Sequence, residues 1–131
     1  MFATIKSLGL FGLNAFPVDV EVDIQKGLPH FDIVGLPDAA VKESRERIRA
    51  ALYSISVTLP PKHIVVNLAP ADVKKSGTMH DLAILVGVLK SMGQLSRSMQ
   101  GKFFIGEVSL SGEVRSVNGV LPMTILARSL G

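Results

Sequence analysis

The chain has 131 residues, 47% of them hydrophobic, which is enough apolar material for one domain with a sizeable core. A formal charge of +3 permits weak attraction to a polyanion without requiring it, and the absence of cysteine excludes disulfides, thiolate zinc sites and cysteine nucleophiles. The longest apolar run, residues 82–89, is too short to span a bilayer, and the N-terminus lacks a signal-peptide pattern. We therefore expect a cytoplasmic protein with no membrane partner.

Three strands are predicted in the first quarter of the chain, over residues 3–10, 16–26 and 31–34. In the middle one, apolar residues alternate with Asp19, Glu21 and Asp23, which is typical of a strand with one solvated face. Those acidic residues are expected on that face, and a metal site is the less favoured interpretation.

A helix is predicted to follow the sequence GLPD at residues 35–38. Pro37 suits a first helical turn, and Asp38 favours the positive end of a helix. The apolar residues recur on one helical face, and opposite charges stand four positions apart. The face comprises Val41, Ile48, Leu52 and Ile55, and the charged pairs are Lys42 with Glu46 and Glu43 with Arg47.

The rest of the chain predicts two helices and three strands. The strands are residues 63–68, 102–110 and 113–117, and the helices are residues 81–92 and 121–130. Ser111 and Gly112 are a hairpin signal between the last two strands. The order β-β-β-α-β-α-β-β-α predicts an α+β domain with a mixed sheet and packed helices.

The segment KKSGTMHDLAI, residues 74–84, resembles a phosphate loop at first sight. A phosphate loop needs a glycine five residues before a Gly-Lys pair, whereas here both lysines precede Gly77. His30, His63 and His80 lack metal-ligand spacing, and no Ser/His/Asp set occupies a recognisable elbow. We expect no catalytic residue, no cofactor site and no metal site in this chain.

The basic residues form two clusters, one in the glycine loop and one on the first helix. The clusters are Lys74 with Lys75, and Arg45 with Arg47 and Arg49. These five residues are the candidates for contact with nucleic-acid phosphates, and a role in solubility alone is an equal alternative.

Three stretches together resemble one family. They are residues 27–52, residues 66–84 (VNLAPADVKKSGTMHDLAI) and residues 106–122 (GEVSLSGEVRSVNGVLP). They are similar to the N-terminal domain of the magnesium-chelatase-like AAA+ ATPases, the group containing ComM and YifB. The resemblance covers nearly the whole chain, and motifs of this length are highly specific.

This resemblance implies the fold of the Lon proteolytic domain, which is ribosomal S5 domain 2-like. It implies a non-catalytic domain, spanning residues 1–131, that serves its own AAA+ module in a hexameric DNA-processing motor of the branch-migration type. ATP and magnesium would bind only in that module. The resemblance also implies that one further strand and helix of this domain follow Gly131 in the family.

The resemblance further places Met79 where Lon-type proteases carry the nucleophilic serine, and Leu121 where they carry the lysine. A serine–lysine dyad needs a hydroxyl and a neutral amine, which these two residues lack. We therefore expect Met79 and Leu121 to pack against each other. The alternatives are an active peptidase that uses Ser76 or Thr78 with Lys74 or Lys75, and a stand-alone nucleic-acid-binding module.

Overall fold

The computed structural model describes residues 1–131 and contains six strands and four helices. In chain order these are β1 (Phe2–Phe11), β2 (Asn14–Gln25), β3 (His30–Val34), α1 (Ala39–Lys42), α2 (Ser44–Ser54), β4 (His63–Ala69), α3 (Asp81–Ser91), β5 (Glu107–Val108), β6 (Val114–Arg115) and α4 (Val120–Leu130). The predicted α+β class with a mixed sheet is confirmed. None of these helices has the length and apolar character needed to cross a membrane.

The main sheet has four strands in the order β1-β2-β4-β3. Its β1–β2 and β2–β4 pairs are antiparallel, and β3–β4 is parallel. Successive side chains of a strand point to opposite faces, so the alternation along β2 sorts its residues into two sets. The apolar set is buried and belongs to the main core: Val18, Val20, Val22 and Ile24.

Helices α2 and α3 supply the other half of the core. The apolar α3 packs against β1 and β2, while α2 packs against β3. Helix α3 approaches β2 so closely that a Cβ at Gly87 would lie 2.7 Å from Cγ2 of Val22. Helix α4 contacts β1 and β2 and buries Met123.

The first predicted helix is divided. Helices α1 and α2 meet at Glu43, and Asp38 is the N-cap of α1, with its carboxylate accepting a hydrogen bond from the Val41 amide at 2.8 Å. Pro37 therefore precedes the cap instead of occupying the first turn. Ile55, assigned to the buried face by its spacing, is 49% exposed because it lies beyond the last turn of α2.

The predicted strand over residues 102–110 is much shorter than its apolar sequence indicates. Only Glu107–Val108 pairs with β6, in the hairpin that Ser111 and Gly112 predicted. The preceding backbone bonds elsewhere: the Phe104 amide donates to Lys6 of β1, and Gly106 exchanges hydrogen bonds with Met79 and Leu82. Because these partners lie on different elements, the segment cannot run as one continuous ladder.

A buried carboxylate joins α2, α3 and β5. Asp81, the first residue of α3, is fully buried and accepts hydrogen bonds from Ser44 Oγ at 2.5 Å, from Arg47 Nε at 2.6 Å and from Arg47 Nη2 at 2.9 Å. The Val108 amide donates a fourth at 3.1 Å. Hydrogen bonding to Asp81 raises the pKa of Arg47, against the opposing effect of desolvation. A buried charge with this many donors is compensated.

Replacing Asp81 by alanine is expected to lower the free energy of unfolding by about 3–5 kcal/mol. The substitution leaves the Arg47 guanidinium, whose side chain is 18% exposed, without its counter-charge and leaves the Val108 amide without an acceptor. Urea denaturation followed by circular dichroism measures the loss.

Glu43→Ala is the matched control, because Glu43 also faces Arg47, at 3.8 Å, but has a side chain that is 69% exposed. Its expected cost is below about 1 kcal/mol. Equal costs for Asp81→Ala and Glu43→Ala would show that the buried network does not hold the helices together.

Candidate functional site

The loop of residues 70–80, between β4 and α3, is held against the GLPD turn that precedes α1. The Lys75 amide donates to the Leu36 carbonyl at 3.0 Å, and the Asp38 amide donates to the Lys75 carbonyl at 2.9 Å. Gly77 has a φ of +82°, which glycine adopts without strain, and its amide donates to the Asp38 carboxylate at 3.3 Å. Gly77 thus lets the chain turn sharply towards α3, and Asp38 links this turn to the cap of α1.

Lys75 is the charged centre of this junction and is 1% exposed. Its Nζ donates to the carbonyl of Gly35 at 2.9 Å and to the carbonyl of Pro70. Burial lowers the pKa of Lys75, and the charge of Asp72 opposes that shift. Residue 35 packs so closely on β4 that a Cβ there would lie 2.3 Å from the Leu68 carbonyl oxygen, which requires glycine at this position.

The loop hydroxyls and lysines of the peptidase alternative are not brought together. The Lys75 amine is bonded to two backbone carbonyls, and Lys74 is exposed. Neither the Ser76 nor the Thr78 hydroxyl makes a hydrogen bond to a lysine amine. A dyad requires that contact, or one close to it. The loop therefore has the residue types of a serine–lysine pair but no hydrogen bond between them.

The two positions matched to the protease dyad differ in their surroundings. Met79 is half-buried at the entrance to α3, where its carbonyl accepts a hydrogen bond from the Gly106 amide. Leu121 is 71% exposed in the first turn of α4. Leu121 thus contributes little buried apolar surface. Its equivalence to a dyad position remains a prediction.

His80 is a buried group whose environment the sequence did not predict. It is 1% exposed, its Nδ1 lies 3.2 Å from Oγ of the fully buried Ser7, and its Nε2 has no partner. Burial, with a smaller contribution from the Lys75 charge, lowers the pKa of His80 to about 4, although Asp81 and Asp38 act in the opposite direction. His80 is therefore neutral at pH 7, and its hydrogen bond with Ser7 is shielded from solvent.

The five basic candidates do not form one surface. The Arg47 guanidinium turns inward and bonds to Asp81, and the Lys75 amine is buried. A phosphate contact requires a cation at the surface, and neither of these groups is free there. Lys74 is exposed on the loop. Arg45 and Arg49 are the two that line a common cavity, on the outer side of α2.

That cavity is an open groove of about 720 Å³ between α2 and residues 57–62, which we call the α2 groove. Buried Phe31 and Ile64 belong to its lining, together with Tyr53, Lys62 and His30 at the surface. The last three were missed from sequence. The spacing of Arg45, Arg49 and Tyr53, four residues apart, was the signal that could have indicated a shared helical face.

His30, which lines this groove, belongs to a histidine pair that Asp32 joins. Asp32 is 2.8 Å from Nε2 of His30 through one carboxylate oxygen and 2.8 Å from Nε2 of His63 through the other. The hydrogen bond with His63 is the main reason that the pKa of Asp32 is lowered, and burial opposes it.

The acidic residues of β2 each have a hydrogen-bond partner within the chain. Asp19 pairs with Lys6, Glu21 with Asn67 and Asp23 with Gln25.

The free energy of unfolding is expected to fall by up to about 3 kcal/mol through His80 as the pH drops from 6.5 to 4. The folded pKa of about 4 lies below the unfolded value of 6.5, so within this range the unfolded chain binds a proton that the folded chain does not. This stabilisation is complete above pH 6.5. Urea titrations at several pH values measure it.

His80→Gln is expected to flatten the curve between pH 6.5 and 4 relative to the original chain. His30→Gln is the control, because the His30 side chain is 61% exposed and no comparable burial acts on it. If His80→Gln retains the full pH dependence, burial of His80 is not its cause. Direct titration of the His80 ring by NMR gives the same answer should the variant fold poorly.

The comparisons with known proteins agree with each other. The family described as subunit ChlI of Mg-chelatase matches residues 20–131. Competence protein ComM of Haemophilus influenzae is 41% identical over 127 residues, covering 96% of this chain and 25% of ComM. The uncharacterized YifB of Escherichia coli is 42% identical over 111 residues, covering 84% of this chain and 22% of YifB.

YifB of Salmonella typhimurium is 40% identical over 120 residues, covering 91% of this chain and 24% of that protein. The chain thus spans about a quarter of the length of these relatives. The chain belongs to the family of magnesium-chelatase ChlI-like proteins that includes ComM and YifB.

Proposed function

We propose that this chain is the non-catalytic N-terminal domain of a ComM-type AAA+ ATPase that processes DNA in the cytoplasm. The observation that carries the non-catalytic assignment is the position of Lys75. Its amine is buried and held by the carbonyls of Gly35 and Pro70, so the loop is braced by the group that a peptidase would need free.

Two further observations support the rest of this proposal. The chain corresponds to about a quarter of relatives that are much longer, which fits a domain that works beside an ATPase module. One of those relatives is named a competence protein, which favours a role on DNA. In this proposal ATP and magnesium bind in the AAA+ module, which also forms the hexamer, and the domain has the S5 domain 2-like fold of Lon.

The chain alone is expected to have neither ATPase nor peptidase activity. Calorimetric titration with ATP and magnesium should give no affinity tighter than about 1 mM. Unfolded casein should remain intact on prolonged incubation, and a serine-reactive probe should leave Ser76 unlabelled. Cleavage that disappears in Ser76→Ala or Thr78→Ala would contradict the non-catalytic assignment.

The accessory role is tested in the longer protein of which this domain is proposed to be a part. Deleting residues 1–131 should leave ATP hydrolysis measurable and abolish movement of a branched DNA junction. A matched protein carrying Lys102→Gln, which changes an exposed lysine outside both basic clusters, should keep both activities. Full junction movement by the deleted protein, or no junction movement by the complete one, would contradict the proposal.

A further inference from the structure

We propose that the α2 groove binds a single strand of DNA, with its cations contacting phosphates and Tyr53 stacking on a base. This inference deepens the proposed function and rests on it only for the choice of DNA over RNA. The groove residues themselves indicate the chemistry of the ligand.

The first observation is that cations stand unpaired on both sides of the groove. Arg49 lies on α2 and Lys62 on the facing segment, and no acidic side chain lies within 4.0 Å of either charged group. Arg45 is partly engaged, at 3.7 Å from Glu46 and 3.4 Å from the Phe31 carbonyl. Three cations against the single acid Glu46 give the groove a net positive charge, which favours a polyanion.

The second observation is an exposed aromatic ring that lines the same groove as these cations. Tyr53 is 86% exposed, follows Arg49 by one helical turn, and its hydroxyl makes no hydrogen bond. Exposure of a large aromatic ring to water is unfavourable. Sites for single-stranded nucleic acid combine cations with aromatic rings, and the bases stack on those rings. Phe31 and Ile64 add an apolar floor.

Together these features favour a flexible nucleic-acid strand over other polyanions. A strand presents phosphates and base faces alternately, so the cations and Tyr53 can be used at once. An acidic peptide or polyphosphate would meet the cations but leave the ring exposed. A duplex is disfavoured because its bases are already stacked on one another.

The binding test uses an intrinsic probe, because Tyr53 is the only tyrosine and the chain has no tryptophan. An oligodeoxythymidine of about twelve nucleotides, within the range of single-strand site sizes, is titrated into the chain at low salt. We expect saturable quenching of tyrosine fluorescence and an affinity that falls as salt is raised. Binding without quenching would overturn the stacking role of Tyr53.

The variants are compared by anisotropy of a labelled oligonucleotide. Tyr53→Ala should weaken binding about tenfold and Tyr53→Phe should preserve it, since only the ring is needed. Arg49→Gln with Lys62→Gln should also make the log–log salt dependence shallower by about 1.4, as two single-strand phosphate contacts are lost. Lys102→Gln, an exposed lysine outside the groove and outside both basic clusters, should bind like the original chain.

The groove site is overturned if Tyr53→Ala binds unchanged, or if polyphosphate of equal charge competes as well as the oligonucleotide. Tighter binding of an RNA strand of matched sequence would overturn the assignment of the groove's ligand to DNA. If the groove variants bind normally while deletion of residues 1–131 still abolishes junction movement, the groove inference fails and the proposed function stands.

Discussion

The Asp81 carboxylate is the group on which the arrangement of helices depends. It is fully buried, and a buried carboxylate is stable only where donors surround it. Ser44 and Arg47 of α2 and the Val108 amide of β5 supply those donors. Since Asp81 also opens α3, one charge fixes the rotation of α2 and the position of the 106–108 backbone relative to the apolar central helix.

That anchoring has a direct consequence for the surface. Residues of an α-helix follow each other at about 100°, so residues two positions from Arg47 lie on nearly the opposite side of α2. With Arg47 directed at Asp81, Arg45 and Arg49 point away from the network, and Tyr53 extends the same stripe by one more turn. One orientation of α2 therefore places Arg47 in the buried ion pair and Arg45, Arg49 and Tyr53 in the groove.

The same rule applies to the Lys75 junction, where the buried charge is positive instead of negative. A buried ammonium group needs acceptors, and backbone carbonyls from the GLPD turn and from Pro70 provide them. These hydrogen bonds offset the free energy of burying the ammonium group and hold the two loops together. The hydrogen bond from the Gly77 amide to Asp38 is a further contact between the loops. A loop braced in this way is rigid scaffold, and the chemistry proposed for the chain lies on the open side of α2.

The sequence pattern predicted those elements of secondary structure that depend only on neighbouring residues in the chain. The alternation in β2, the hairpin at Ser111 and Gly112 and the apolar run of α3 each follow from the period of their side chains, and all three were predicted within a few residues. The family was also evident from sequence, because long motifs specify it. The division of the first helix at Glu43 and the shortness of β5 were not evident, since both depend on partners distant in the chain.

The identity of the site residues was the part that tertiary structure decided. Sequence determined that Arg45, Arg47, Arg49, Lys74 and Lys75 are basic, that the loop contains glycine and hydroxyls, and that the fold is α+β. It could not separate an arginine bonded to Asp81 from one facing solvent, or a lysine enclosed by carbonyls from its exposed neighbour. The physical reason is that a charge becomes structural or available according to the groups packed around it, and those groups come from elements up to 40 residues away in the chain.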